Sequence, residues 1–329
     1  MDIANIKKRK PITDINKYSF TIYGAPSIGK TSLCAYLFDE PLYFAWEQGQ
    51  NALNAYVQDM FSWQDVIEFI KQVKRIKRAG GEVPFKSVII DTTDIMRDKC
   101  EEYVCRMNGW DSPADKPMGG GWADVRHEFE GRISEIRSLG LTVHFIAHDK
   151  VQSVERKDVK YDKITLFLGS TAVNEVIKKV DFILYLDKEF EKDQDGNVVS
   201  RRVVRFDGGE NYVAKSRVKG FPEFIYAGDS PKETADKIKG LFYENTEKLL
   251  EEVPSEQKKE VSKEVKKEKK VTEKDIDELT KIITQKIKDK KIIVDEVNKI
   301  VKENTSVELV KDISNYDEFI KVKDIIENL

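Results

Sequence analysis

The sequence predicts an α/β fold with a mostly parallel central sheet, plus a small C-terminal helical module. Three observations carry that prediction. Short β-branched and aromatic runs alternate with helical patterns from residue 18 to about residue 250, an order that builds a parallel sheet flanked by helices. A tract of Lys and Glu, residues 255–271, then follows Pro254 with valine as its sole apolar content, too little to bury a core. From Thr272 an apolar helical period returns. The expected division is a core over 1–253, a charged linker over 254–271 and a helical module over 272–329.

The elements follow in order. Tyr18 to Tyr23 (YSFTIY) reads as the first strand and Thr31 to Phe38 as an amphipathic helix. Pro41 to Trp46 is a second strand, after which Ser62 caps a helix that ends at Gly80-Gly81. Further strands are read at Lys86 to Asp91, Leu141 to Ala147 and Asp181 to Leu186, with a hairpin over 189–206 turning at Asp195-Gly196. Ser230-Pro231 starts a helix that carries apolar residues to Leu250 and stops at Pro254. In the tail Ile276, Leu279, Ile282 and Ile283 recur at helical spacing, and three or four helices fit.

The chain has 329 residues, a formal net charge of −3 and a pI of about 5.9, so nucleic-acid contact must come from local basic patches rather than a global field. The basic N-terminus, with KKRK at 7–10 read as a solvated arm, has no apolar run behind it, and no later segment approaches a membrane span. A cytoplasmic protein without membrane contact is expected. Cys34, Cys100 and Cys105 fit a reducing compartment, and the four residues between the last two are the wrong spacing for a zinc knuckle. Buried thiols are the expectation.

Between the first strand and the first helix lie Gly24, Ala25, Pro26, Ser27, Ile28, Gly29, Lys30, Thr31 and Ser32, with the spacing G-x-x-x-x-G-K-[ST]. Strand, glycine loop and helix form a phosphate cradle, in which backbone N–H groups converge at the positive end of the helix. Lys30, expected as an exposed loop lysine, would reach the β and γ phosphates of ATP, and Thr31 would give its hydroxyl to Mg²⁺. Val88-Ile89-Ile90-Asp91 is an apolar strand ending in a carboxylate, expected beside the first strand, where Asp91 would share the metal with Thr31. Thr92 follows it, so the adjacent-acid arrangement of the AAA+ class is absent. The base must come from another strand. Glu47, ending LYFAWEQG, is the candidate, with Asp94 a weaker second acid, and His148, ending VHFIAH, is placed to sense the γ-phosphate.

Together these features are similar to the RecA-like ATPase core, in which the glutamate is the catalytic base and the polar strand-end residue, usually Gln, is the sensor. His148 occupies that place here. The ordered pattern IYGxPxxGKT, EQG, VIIDT, GW…VR.EF, FIAH and a late K-x-R, over about residues 15–230, resembles phage-encoded RecA-core proteins, including AAA-type ATP-binding phage proteins and Sak-type annealing proteins. The resemblance implies a RecA-like P-loop NTPase, a DNA-stimulated ATPase that binds single-stranded DNA and promotes annealing or strand pairing in phage recombination, within the bacterial host cytoplasm.

It also implies a homo-oligomer, ring or filament, because Lys215-Ser216-Arg217 resembles paired basic fingers that enter a neighbouring subunit's ATP site. An exposed strand edge guarded by cations is the plainer alternative. The two DNA loops of such proteins map to 109–126, with Lys116, Gly119 to Gly121, Trp110 and Trp122, and to 149–170, with Lys150, Arg156, Lys157, Lys160, Tyr161 and Lys163. Cations interleaved with aromatics suit single strands, although an exposed hairpin would read the same way. Other functions open to these parts are a ring helicase or helicase loader, a small-molecule kinase and a non-catalytic nucleotide switch. The helical module is expected either to recruit a single-strand-binding protein or the replication machinery, or to serve as a dimerisation or solubility module.

Overall fold

A computed structural model describes residues 11–47, 49–156, 159–168, 179–192, 196–251, 273–288, 294–304, 309–310 and 316–327. The chain divides into two compact units, Met1–Leu249 and Leu250–Leu329. The stretch expected as a linker, the KKRK arm and Asp195 of the expected turn lie outside the described residues.

In the first unit β1 (Phe20–Gly24) leads into α1 (Lys30–Leu37), followed by β2 (Pro41–Ala45), β3 (Tyr56–Asp59) and α2 (Trp63–Arg78). Next come β4 (Ser87–Asp91), α3 (Thr93–Asn108), α4 (Gly121–Ser138), β5 (Thr142–Arg156) and β6 (Val159–Leu166). The unit continues through β7 (Phe182–Lys192), β8 (Val198–Arg205), β9 (Lys215–Ser216) and β10 (Phe224–Tyr226), followed by α5 (Pro231–Glu251). The strand order is β10-β8-β7-β1-β5-β4-β2-β3. The six strands from β7 to β3 pair in parallel, and β6, β8, β9 and β10 are antiparallel additions.

Parallel strands are covered on both faces, and the sequence shows how. Along β4, Val88 and Ile90 turn to one core with Phe44, Phe145, Trp63, Ile70, Met96 and Phe129, while Ile89 turns to the other with Tyr43, Ile146 and Leu184. The helices α2, α3 and α4 cover the first face; α1 and α5, through Leu33, Leu37, Ile238 and Phe242, cover the second. Removing an aromatic such as Phe242 would cost about 3–5 kcal/mol, since the cavity cannot fully collapse. The Ser62–Asp65 capping box starts α2, and Gly80 at φ 78° follows its end.

Four features correct or sharpen the sequence reading. Asp91's strand is not beside the first strand: β5 lies between β4 and β1. The edge strand β3 was not read from sequence, because its four residues are all exposed and end in Gln58-Asp59. The first expected loop is largely structured, with short 3-10 turns at Pro113–Asp115 and Pro117–Gly119 and α4 beginning at Gly121. The second is a β-hairpin, since β5 continues past Ala147 to Arg156 and pairs with β6.

The second unit holds α6 (Glu273–Lys288), α7 (Val294–Asn304) and α8 (Tyr316–Glu327). Their apolar stripes meet in a small core of Leu279, Val297, Val301, Phe319, Val322 and Ile326. Among the described residues no helix is long and apolar enough to cross a membrane.

Candidate nucleotide site

The phosphate loop joins the end of β1 to the start of α1. Its two glycines are demanded by geometry: a Cβ at Gly24 would run into the Leu186 carbonyl oxygen, and Gly29 sits at φ 106°, a conformation that side chains avoid. Ala25, Pro26 and Ser27 face solvent, while Ile28 anchors the loop in the core. Lys30 is not the exposed loop residue the sequence suggested. It is only 6% exposed, and its Nζ donates to the carbonyls of Gly24 and Ala25 at 2.9 Å each. Burial lowers its pKa, opposed by the carboxylates of Asp149, Asp91, Glu47 and Asp94.

Thr31 and Asp91 meet despite the intervening strand, with Thr31 Oγ1 donating to Asp91 Oδ2 at 2.8 Å. Gln50 Nε2 donates to the same oxygen at 2.7 Å, and Tyr43 OH holds the Thr31 carbonyl at 2.9 Å. Burial pushes the Asp91 carboxyl up, while its hydrogen bonds from Thr31 and Gln50 pull the other way. A hydroxyl and a carboxylate one hydrogen bond apart are hard oxygen donors suited to Mg²⁺. The residues present fit that ion. Gln50 was missed, because nothing in EQGQ distinguishes it from Gln48.

The other strand ends converge beside this pair. His148 is in register with Gly24, at the entrance to the loop. Its Nδ1 lies 3.3 Å from Asp94 Oδ2, and Glu47, an exposed residue, has Oε1 3.4 Å from Thr92 Oγ1. Donor atoms of Glu47, Asp94 and His148 all lie within 4.8 Å of one another. Asp94 is thus integral to the cluster rather than remote from it.

The late basic pair lies elsewhere. Lys215 pairs with Ile183 near the start of β7, whereas Gly24 pairs with Leu186 farther along the same strand. Lys215 Nζ donates to the Val180 carbonyl at 2.7 Å, and Arg217 meets the Asp181 carboxylate at 3.1 Å. Neither is brought to this chain's own loop. A cation beside the loop is Arg202 of β8, which lines a small cleft with Ile28, Gly29, Leu33 and Thr234. Sequence reading passed over it as one of a run of hairpin arginines.

Of the expected DNA-contacting residues, Lys116 is engaged internally, with Nζ 2.6 Å from Asp124 and over the Trp110 ring at 5.8 Å. Lys157 lies outside the described residues. Register places Arg156, Tyr161 and Lys163 on one face of the hairpin, and Lys160, opposite Glu155, on the other. Lys150 lies over the Phe167 ring at 6.0 Å.

A parallel sheet in which the loop strand and the aspartate strand flank the strand that carries His148, with Thr31 against Asp91, defines a P-loop ATPase with a RecA-like core. The chain belongs to the AAA domain family: the AAA_24 family model, described as an AAA domain, matches residues 16–218. No curated protein matches the sequence. Among solved structures, a KaiC-like protein from the hyperthermophilic archaeon Pyrococcus horikoshii OT3 is similar at 13% identity and a TM-score of 0.37, over 66% of this chain and 87% of that one. The RadB recombinase gives the same identity of 13% and TM-score of 0.37, over 66% and 89% of the two chains. At that level the likenesses add no argument to the strand order.

Proposed function

We propose that the protein is an ATP-hydrolysing recombination ATPase of the phage RecA-core type, which binds single-stranded DNA and promotes annealing or strand pairing as a homo-oligomer. One observation carries the hydrolytic part: the Thr31–Asp91 pair and the Glu47, Asp94 and His148 cluster stand at one sheet edge beside the phosphate loop. In this reading the loop N–H groups and the start of α1 bind the phosphates of ATP, and Lys30 supplies positive charge to them. Thr31 and Asp91 hold Mg²⁺, which neutralises developing charge on the phosphates when bound. Glu47 takes the proton of the attacking water, and His148, steadied by Asp94, registers the γ-phosphate.

Arg156, Tyr161 and Lys163, on one hairpin face, suit a single strand that needs cations for its phosphates and a ring for its bases. Lys215 and Arg217 would act on a neighbouring subunit, a role that requires them to leave Val180 and Asp181. The helical module would recruit a single-strand-binding protein. The test is an annealing assay on complementary strands with ATP, run on the same sample as phosphate release. The proposal expects both activities, and hydrolysis without any annealing or pairing would move the protein to the motor class.

A further inference from the structure

We propose that Glu47, Asp94 and His148 form a second divalent-cation site, separate from the Thr31–Asp91 pair and selective for borderline transition ions such as Zn²⁺ and Co²⁺. The donors come from three elements, the turn after β2, the first turn of α3 and the end of the parallel run of β5, and all lie within 4.8 Å of one another. Donors about 2.1 Å from a tetrahedral ion sit about 3.4 Å apart. The His148 Nδ1 to Asp94 Oδ2 distance of 3.3 Å matches such an edge, and it is long for a charge-assisted hydrogen bond. Glu47 is solvent-exposed, so its side chain can swing the remaining distance.

A further feature points to a ligand. Asp94 Oδ1 is buried and has no hydrogen-bond partner among the described residues, although the side chain is only 14% exposed. A buried carboxylate oxygen left unpaired is costly, and a cation held by both Asp94 oxygens would satisfy it. The donor set decides the ion: one imidazole with two carboxylates suits Zn²⁺ and Co²⁺, whereas Mg²⁺ prefers oxygen alone. Occupancy would bind Glu47 to the metal and withdraw it from water activation. Zn²⁺ would therefore inhibit hydrolysis even at saturating Mg²⁺ and ATP.

The experiment titrates Co²⁺ into the full, untagged, nucleotide-free chain and follows its visible absorption, so that failure here leaves the hydrolysis reading untouched. One Co²⁺ per chain, displaced by Zn²⁺, is expected, with affinity reduced about tenfold or more in both Asp94→Asn and His148→Gln. Asp91→Asn should bind Co²⁺ as the wild type does. Circular dichroism checks that each variant is folded, and either of the first two suffices for the comparison. Absence of binding, unchanged affinity in the folded variants, or loss confined to Asp91→Asn would overturn the proposal. A thiolate charge-transfer band would overturn it too, placing the ion on Cys34, Cys100 or Cys105 instead.

Discussion

Lys30 and Lys160 carry the same charge under opposite physical rules, and the regions that hold them differ accordingly. At the phosphate loop Lys30 is 6% exposed with its ammonium on two carbonyls. On the hairpin the Lys160 side chain is 75% exposed and its partner, Glu155, is 3.7 Å away. A desolvated charge is held in one place and leaves orphaned partners when removed. A solvated one acts through a screened field, and its ion pair is worth about 0–1 kcal/mol. The loop edge thus fixes its charge in position, whereas the hairpin leaves its charge in solvent.

The largest effect that separates the two regions should come from Lys30→Ala. Phosphate release should fall by on the order of 10³-fold or more, because the positive charge at the phosphates is lost. The denaturant midpoint should fall as well, by roughly 1–3 kcal/mol in stability, because the Gly24 and Ala25 carbonyls lose their donor. An inactive variant with wild-type stability would show that the buried contacts contribute little. Next in size, Glu47→Gln should lower turnover by about 10²–10⁴-fold with ATP affinity kept, since an amide holds the shape but cannot accept the proton. Equilibrium binding beside single-turnover hydrolysis checks the split.

A smaller effect concerns His144, which stacks on Phe38 at 3.6 Å with both ring nitrogens buried and without a hydrogen-bond partner among the described residues. Burial, aided by Arg137, lowers its pKa from 6.5 to about 3. Between those values the unfolded chain binds a proton that the folded chain refuses, so this stability is complete above pH 6.5 and is lost as the pH falls. The expected decline is about 1–2 kcal/mol from pH 6.5 to 5. His144→Phe should flatten that slope in urea melts; an unchanged slope would place the titration elsewhere.

The smallest effects belong to the hairpin. Arg156→Ala with Lys163→Ala should reduce the slope of log affinity for single-stranded DNA against log salt by somewhat under 2, while Lys160→Ala, on the other face, should leave it nearly unchanged. Melting of all three should stay within about 0.5 kcal/mol of wild type. Equal slope changes from both faces would remove the one-sided interface.

The parts legible in the sequence were those with local signatures. The phosphate loop shows its glycine spacing, and β2, β4, β7 and α2 show apolar runs with their stops and caps. What stayed hidden depends on pairing across distance. Lys30's burial arises from its own helix start being pressed against the end of β1, and Gln50 matters only because β2's exit loop returns to Asp91. The place of β5 between β1 and β4 is set by crossovers that no local pattern encodes. Exposed, polar β3 lacks the apolar run by which its neighbours are found. The K-x-R segment was legible as a motif, yet its attachment to Val180 and Asp181 was not.

In the proposed function one chain couples a buried phosphate loop to a solvated strand-binding face. Steady-state ATP hydrolysis at low salt, with and without single-stranded DNA, tests it most directly when the wild type is run beside the Arg156→Ala, Lys163→Ala variant. DNA should accelerate wild-type turnover, and the variant should need far more DNA to reach the same rate. Hydrolysis indifferent to single-stranded DNA, or a variant stimulated at wild-type DNA concentrations, would contradict it.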